Sequence, residues 1–144
     1  IQEAKISDEF TSLLDAHDFN WVMKTAFYLN GSASGVMNVA SLDAVHSCGF
    51  KVNEPLIRVP KSTLVSYYNI AGLSTELLVA NIHGINFTLG VSRYRQQMEK
   101  LYEAVKQHEG PMIVAGDFNS WSGSRMAVVD HLIQRLELFE LEHP

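Results

Sequence analysis

A carboxylate and an amide directly follow an apolar run late in the chain. The segment Gly110-Pro-Met-Ile-Val-Ala-Gly-Asp-Phe-Asn119 contains four successive apolar residues, Met112 to Ala115, which predict a short buried strand. Asp117 and Asn119 follow at the carboxyl end of that strand, and ligands bind at this edge of open α/β sheets. The competing interpretation is an ordinary polar turn, because Gly, Asp and Asn are common turn residues. Companion residues elsewhere in the sequence must therefore decide whether this is a site.

A second apolar run, Leu77-Leu-Val-Ala-Asn-Ile-His83, becomes polar at Asn81 and His83. Residues two apart on a strand point to the same face, so these two side chains should lie together. His83 is suited to donate to a phosphate oxygen or a leaving group, because the histidine proton moves near neutral pH. The alternative is a structural role, which is common for a lone histidine on a strand. Asn81 is better suited to brace the loops by hydrogen bonding than to touch a substrate.

The chain opens with Ile1-Gln-Glu-Ala4, in which an apolar residue precedes Gln-Glu. Together with the two segments above, Glu3 resembles the pattern of the endonuclease/exonuclease/phosphatase superfamily, the deoxyribonuclease-I-like metal-dependent phosphoesterases. That pattern has a Gln-Glu pair, an Asn-x-His strand and a Gly-Asp-apolar-Asn loop, in this order. The detail is similar to the bacterial YafD-like subgroup, over the segments Ser34–Met37, Arg58–Lys61, Asn81–Phe87 and Gly110–Asn119 and at Trp121, Ser122 and Arg125.

The resemblance implies a role for each of four residues. Glu3 would bind Mg²⁺ or Mn²⁺, since hard cations take oxygen ligands and often only one or two protein carboxylates. The catalytic residues would be His83, Asp117 and Asn119. Asp117 would orient or deprotonate the attacking water, Asn119 would hydrogen-bond that water or a phosphate oxygen, and His83 would face the phosphate. Without the resemblance, Glu3 is better explained as an exposed terminal side chain.

Further residues are candidates for binding the substrate or shaping the site. Arg58 and Lys61 flank a Val-Pro turn where either could meet a phosphate, and Asn81 joins them as a substrate-binding candidate. Ordinary surface charge is the alternative for the two cations. Trp121 and Arg125 are expected to lock the Asn119 loop rather than to do chemistry.

The resemblance also implies that residues 1–144 are a single domain, the central part of a larger one. The superfamily's amino-terminal strand with an Asn beside the metal has no counterpart in this sequence, nor has its carboxyl-terminal Ser-Asp-His segment. His143 is a poor substitute. We therefore expect the 144-residue chain itself to be inactive or nearly so, because catalytic groups act as a unit. Open sheet edges would favour self-association.

Composition sets limits on the partners. With 16 acidic and 11 basic residues the net charge is −5, so no overall basic footprint favours nucleic acid. The basic cluster of Arg93, Arg95 and Lys100 has the spacing of a solvated helix face. The single cysteine, Cys48, cannot form an internal disulfide. No apolar run reaches the length of a membrane span, and the compartment is not determined by the sequence (bacterial cytoplasm or membrane-associated, if the resemblance holds).

Hydrophobic patterning predicts a mixed α/β fold. The expected strands are Trp21–Tyr28, Val36–Ser41, Asp43–Cys48 at an edge, Lys61–Ile70 and Glu76–His83 as a hairpin, and Met112–Ala115 at the centre of a sheet. The expected helices run from Ser7 to Asp18, from Ser92 to Glu109 with a left-handed Gly110 cap, and from Ser124 to Leu136. In the second helix, Met98, Leu101, Tyr102 and Val105 should be buried, and Arg95, Lys100, Glu103 and Lys106 should face solvent. The resemblance implies a sandwich of two largely antiparallel, mixed sheets flanked by helices, incomplete in this chain.

The leading functional hypothesis is a metal-dependent phosphoesterase that hydrolyses phosphodiester bonds, with nucleic acid among the candidate substrates. One alternative is a non-catalytic binding or interaction domain on the same fold. Another is a phosphomonoesterase or a lipid phosphodiesterase. The fold does not choose among these, because one scaffold carries many functions.

Overall fold

The computed structural model describes residues 1–141, which contain seven strands and three helices. His143 lies outside the described residues. The strands are β1 (Ala4–Lys5), β2 (Asn20–Leu29), β3 (Ser32–Ala40), β4 (His46–Asn53), β5 (Pro60–Tyr68), β6 (Leu77–His83) and β7 (Met112–Asp117). The helices are α1 (Asp8–Ala16), α2 (Ser92–Val105) and α3 (Gly123–Arg135).

The strands form two sheets that face each other. One has the order β1-β3-β2 and is antiparallel, and the other has the order β4-β5-β6-β7 and is antiparallel except for the parallel pair β6–β7. Polar side chains link the sheets, since Asn38 donates to the Ser66 hydroxyl at 2.5 Å and Ser62 donates to the Lys24 carbonyl at 3.0 Å. The predicted α/β two-sheet fold is confirmed.

The main core lies between the four-stranded sheet and helices α2 and α3. Alternate residues of β6 enter it, because neighbouring strand residues point to opposite faces. The period of α2 was predicted correctly: Met98, Leu101 and Val105 are buried, and the charges of Arg95, Lys100, Glu103 and Lys106 are exposed. Tyr102, which was also expected to be buried, is only partly buried. Helix α1 covers the smaller sheet, where Leu14 packs with Ala4 and Met37.

Strand β7 is not the buried central strand that its apolar run predicted. It occupies an edge of the four-stranded sheet, and Ile113 is 50% exposed. Met112 and Val114 pack against the helix-side core, whereas Ile113 points to the opposite face. The smaller sheet does not extend over that face within residues 1–141. An apolar run shows that both faces of a strand can be buried, but it does not show that both faces are covered in the fold.

The boundaries of three elements, β3, β4 and α2, also differ by several residues from the sequence expectations. Strand β3 begins at Ser32 rather than at Val36, because Asn30 and Gly31, with φ of 50° and 81°, close a two-residue hairpin turn. Strand β4 begins at His46 rather than at Asp43 and extends to Asn53, since it pairs with β5 along its whole length.

Helix α2 ends at Val105, four residues earlier than expected, and Gly110 does not have the positive φ of a left-handed cap. A Cβ atom on Gly110 would lie 2.7 Å from the carbonyl oxygen of Glu76. Close approach of two backbone segments therefore explains this glycine.

Candidate active site

His83 and Asp117 meet at the ends of the parallel strands β6 and β7. The register pairs them directly, and Nε2 of His83 lies 3.7 Å from Oδ2 of Asp117. Parallel strands end at the same edge of a sheet, so polar residues at both ends must lie together. Gly116, one residue before Asp117, allows this approach: its φ is +142°, and a Cβ there would collide with the Ile82 backbone.

Asn119 closes the loop beneath this pair. Its φ is +49°, its backbone N–H donates to Oδ1 of Asp117 at 3.0 Å, and its side-chain amide donates to the Gly84 carbonyl at 2.9 Å. The Gly84 N–H in turn donates to the Asp117 carbonyl at 2.7 Å. The amide nitrogen of Asn119 therefore braces the loops. Its Oδ1 atom has no hydrogen-bond partner within residues 1–141.

Lys61 and Glu3 complete the group. The Lys61 ammonium lies 2.9 Å from Nε2 of His83 and 3.1 Å from Oε1 of Glu3, and that oxygen lies 3.8 Å from the same histidine nitrogen. Glu3 precedes β1 in the smaller sheet, whereas Lys61 is in β5 of the larger one. Glu3, His83, Asp117 and Asn119, the four residues to which the resemblance assigns roles, therefore meet at one edge of the strands, and those roles remain predictions.

The environment of His83 favours its neutral form. Burial lowers the pKa of His83 below its usual value, and the positive charge of Lys61 lowers it further, while the carboxylates of Glu3, Asp117 and Glu54 act in the opposite direction. An ammonium group has only donors, so Nε2 of His83 accepts the hydrogen bond from Lys61 and the ring proton belongs on Nδ1. At neutral pH this histidine is an acceptor towards the lysine.

The other two substrate-binding candidates form no side-chain hydrogen bond or ion pair with this cluster within residues 1–141. Asn81 is buried between the sheets, where its amide donates to the Met37 carbonyl at 3.1 Å and to Oδ1 of Asn38 at 2.9 Å, and its oxygen accepts from Gln2 at 2.6 Å. It braces the two sheets, whereas the sequence suggested that it would brace the loops. Arg58 is exposed on the β4–β5 loop and lines a separate groove.

Sequence reasoning missed two buried polar residues that shape the loop after β6, here called the His83 loop (residues 84–88). Gln97 of α2 donates to the His83 carbonyl at 3.0 Å and accepts from the Ile85 N–H at 2.8 Å. Glu54 accepts from the N–H groups of Asn86 at 2.9 Å and Phe87 at 3.0 Å. The available signal was Gln97 itself, a polar residue next to Met98 on the apolar side of α2.

Arg125 of α3 is the third residue that holds the His83 loop. Its guanidinium donates to the carbonyls of Ile85 and Asn86, both at 2.7 Å, and to the Asn119 carbonyl at 2.9 Å. The indole of Trp121 donates to Oδ1 of Asn86 at 2.8 Å. The expectation that Arg125 and Trp121 lock the loops around Asn119 is therefore confirmed.

The cluster can offer oxygen ligands to a hard cation, but not a closed cage. Within residues 1–141, no group of three or more His, Cys, Asp or Glu side chains is arranged to hold a metal ion. Glu3 and Asp117 present exposed carboxylates, which fits Mg²⁺ or Mn²⁺ bound by one or two protein oxygens and water. The Lys61 ammonium currently contacts the Glu3 carboxylate, so it must move if a cation takes that oxygen.

Sequence comparison identifies relatives of about twice this length. No protein-family model matches the chain. It is 40% identical to a UPF0294 protein of Vibrio campbellii, covering 98% of this chain and 50% of that protein. It is 39% identical to a UPF0294 protein of Yersinia enterocolitica, covering 99% of this chain and 54% of that protein. The chain spans about half the length of these curated relatives.

Structural comparison decides the fold. The human Nocturnin catalytic domain with bound sulfate anion matches with a TM-score of 0.65 and 16% identity, over 88% of this chain and 51% of that one. An endonuclease/exonuclease/phosphatase family protein from Leptotrichia buccalis matches with a TM-score of 0.60 and 12% identity, over 93% and 60%. The chain has the endonuclease/exonuclease/phosphatase fold.

A third protein of the endonuclease/exonuclease/phosphatase fold is D. rerio TDP2 complexed with a single strand DNA product. It matches with a TM-score of 0.59 and 14% identity, over 89% of this chain and 50% of that one. The resemblance noted from the sequence motifs therefore agrees with the three-dimensional comparison. No helix in the described part of the chain is long and apolar enough to cross a membrane.

Proposed function

We propose that this chain contributes the central part of a metal-dependent phosphoesterase that hydrolyses phosphodiester bonds by metal-assisted attack of water. The observation that carries the proposal is the meeting of Glu3, Lys61, His83 and Asp117 within hydrogen-bonding or ion-pairing distance at one sheet edge. Such a set combines a cation for a phosphate, a carboxylate for a metal and a carboxylate for a water. The fold shared with TDP2, whose structure holds a DNA product, supports a phosphodiester substrate.

Each side chain has a task that its geometry suits. Lys61 supplies a point positive charge to a phosphate oxygen, and neutral His83 fixes the position of that ammonium through Nε2. Asp117 accepts the proton of the attacking water, and Oδ1 of Asn119 orients that water without adding negative charge. Glu3 would hold Mg²⁺ or Mn²⁺, which when bound supplies positive charge against the phosphate and lowers the pKa of a bound water.

The test is turnover of a chromogenic phosphodiester and of an oligonucleotide, with Mg²⁺ or Mn²⁺ and with EDTA. It is run on a form of the protein as long as the curated relatives and on the 144-residue chain, which we expect to be nearly inactive. Asp117→Asn should reduce turnover by roughly 10²–10⁴-fold, as expected for loss of a general base. Asp130→Asn, an exposed carboxylate on α3, is the matched control.

Glu3→Gln should raise the metal concentration required for half-maximal turnover. Absence of metal-dependent turnover in the longer form, or full activity in Asp117→Asn, would contradict the proposal. Hydrolysis of phosphomonoesters alone would select the phosphomonoesterase alternative, and binding without turnover would select the non-catalytic one.

A further inference from the structure

A basic groove lies beside the candidate active site. It has a volume of about 790 Å³ and is bounded by the β4–β5 loop on one side and α2 on the other. Four cationic residues line it, namely Lys51, Arg58, Arg93 and Lys100, together with one carboxylate, Glu54. The formal charge of the lining is therefore +3, in a chain whose net charge is −5. The sequence shows only the α2 part of this positive charge as a cluster, because the β4–β5 loop and α2 are far apart along the chain.

The cations of this basic groove are not neutralised by the protein. Within residues 1–141, none of the four forms an ion pair with a carboxylate. Glu54 is buried, and its two oxygens accept from the backbone N–H groups of Asn86 and Phe87. Lys51 directs its ammonium to the Ala26 carbonyl at 3.2 Å and so lies at the margin. Arg58, Arg93 and Lys100 are the charges that an anion in the groove would meet.

The basic groove is connected to the candidate active site by short structural links. Arg58 lies three residues before Lys61, which contacts His83 at 2.9 Å. Gln97, which lines the groove, donates to the His83 carbonyl at 3.0 Å. These two links place the basic groove close to the cluster of Lys61 and His83.

Two exposed aromatic side chains stand on loops that are hydrogen-bonded to the lining of the basic groove or to its neighbours. Phe87 is 51% exposed and its backbone N–H is held by Glu54, while Trp121 is 69% exposed and is held to Asn86. A cationic groove with aromatic side chains beside it is the arrangement that binds single-stranded nucleic acid, because phosphates pair with the cations and unpaired bases stack on the rings. A duplex keeps its bases stacked internally and cannot use those rings.

We propose that the basic groove of Arg58, Arg93 and Lys100 binds backbone phosphates of a single-stranded nucleic acid outside the bond to be cleaved, with Phe87 as a stacking surface for a base. Binding of the nucleic acid in the groove does not depend on the proposed function. Only the expectation that the bound nucleic acid continues towards His83 rests on it. The exposed aliphatic residues Leu56 and Ile57 beside Arg58 make an anionic lipid surface the competing occupant. The experiment therefore includes vesicles.

The test is fluorescence anisotropy of a labelled oligothymidylate of about 12 nucleotides, within the usual site size of such grooves. The 144-residue chain is titrated in EDTA over a series of salt concentrations, so that binding is measured without hydrolysis. The double variant Arg93→Gln/Lys100→Gln should bind about tenfold more weakly, and the slope of log affinity against log salt should become shallower by about 1.4, or 0.7 for each lost contact. Arg58→Gln should make the same slope shallower by about 0.7.

Matched controls lie on the same elements. Arg95 is exposed on α2 but lines a different cleft, so Arg95→Gln should keep the wild-type slope. Phe87→Ala should weaken binding on the order of tenfold, while Leu89→Ala, on the same connection between β6 and α2, should not. Circular dichroism checks that each variant keeps the wild-type fold.

Four outcomes would overturn the inference. Two concern the oligonucleotide: no binding at all, or equal binding by the wild type and the double variant. The other two are equal or tighter binding of a duplex of the same length, and groove-dependent binding of phosphatidylserine vesicles without oligonucleotide binding. Because the assay needs no turnover, it separates the two proposals. Groove-dependent binding by the 144-residue chain, together with no turnover by the longer form, would support the groove proposal and contradict the phosphoesterase proposal. Turnover by the longer form without groove-dependent binding would do the reverse.

Discussion

Asp117 lies directly across the parallel pair β6–β7 from His83, with its carboxylate oxygen 3.7 Å from the imidazole Nε2. The same nitrogen is 2.9 Å from the Lys61 ammonium. One imidazole therefore lies between a cation and an anion whose effects on its proton affinity oppose each other. Removing the cation and removing the anion should therefore shift the pKa of His83 in opposite directions.

The first prediction concerns the titration of His83. Lys61→Met should raise the pKa of His83, because it removes a positive charge that disfavours protonation, and Asp117→Asn should lower it, because it removes a negative charge that favours protonation. Histidine NMR titrations in metal-free buffer would measure both. The remaining carboxylates facing the ring, Glu3 and Glu54, stay in place in both variants. Shifts of the same sign would contradict the geometry.

The second prediction concerns stability against pH. The folded-state pKa of His83 lies below the ordinary value of 6.5, so the unfolded chain binds this proton more readily than the folded one. The contribution of neutral His83 to the free energy of unfolding is fully present above about pH 6.5 and is lost as the pH falls towards the folded-state pKa. Urea unfolding of the wild type and of His83→Gln at several pH values would test this. The variant should lose less stability between neutral and mildly acidic pH, and parallel curves would contradict the prediction.

The third prediction concerns Gly116. Gly116→Ala should destabilise the chain by about 2 kcal/mol or more, because alanine disfavours a φ of +142° and its Cβ would strike the Ile82 backbone. Gly123→Ala is the matched control, since a Cβ at that helical position has no atom within 4 Å. Thermal unfolding would compare the two. Similar transition temperatures for both variants would show that β6 and β7 do not approach as described.

The fourth prediction concerns Gln97. Gln97→Met should cost about 2–4 kcal/mol, because it leaves the His83 carbonyl and the Ile85 N–H buried without partners. Gln96→Met, one residue earlier and exposed, should change stability by less than about 0.5 kcal/mol. The measurement is chemical denaturation of both variants. Equal stabilities would mean that the hydrogen bonds of Gln97 contribute nothing net.

The site could be predicted as far as strand order and register determine it. His83 and Asp117 were predictable because both follow apolar runs whose parallel pairing brings their ends together. Which of the two cations, Arg58 or Lys61, lies beside His83 was not predictable, because it depends on how the β4–β5 loop turns. Arg58 adopts a φ of +55° in that loop, whereas Lys61 is already in β5. Local spacing does not determine that turn.

The fold was predictable where periodicity is strong and less so where burial depends on distant partners. The two longer helices and the β5–β6 hairpin follow from their apolar patterns. The edge position of β7 does not, because the same four apolar residues would suit a central strand. Glu54 was equally hard to recognise as buried, since its partners in the His83 loop are more than 30 residues away in sequence.

The His83 loop is held from three directions, by Glu54 from the β4–β5 loop, Gln97 from α2 and Arg125 from α3. These three side chains share one short segment, so the effects of substituting them should not add. In a scan of every single substitution scored by activity, these positions would stand out as strongly as the catalytic ones. A map of the sensitive positions would therefore extend well outside the area that a substrate can touch. Only a separate measurement of folding would distinguish the positions that hold the loop from the catalytic ones.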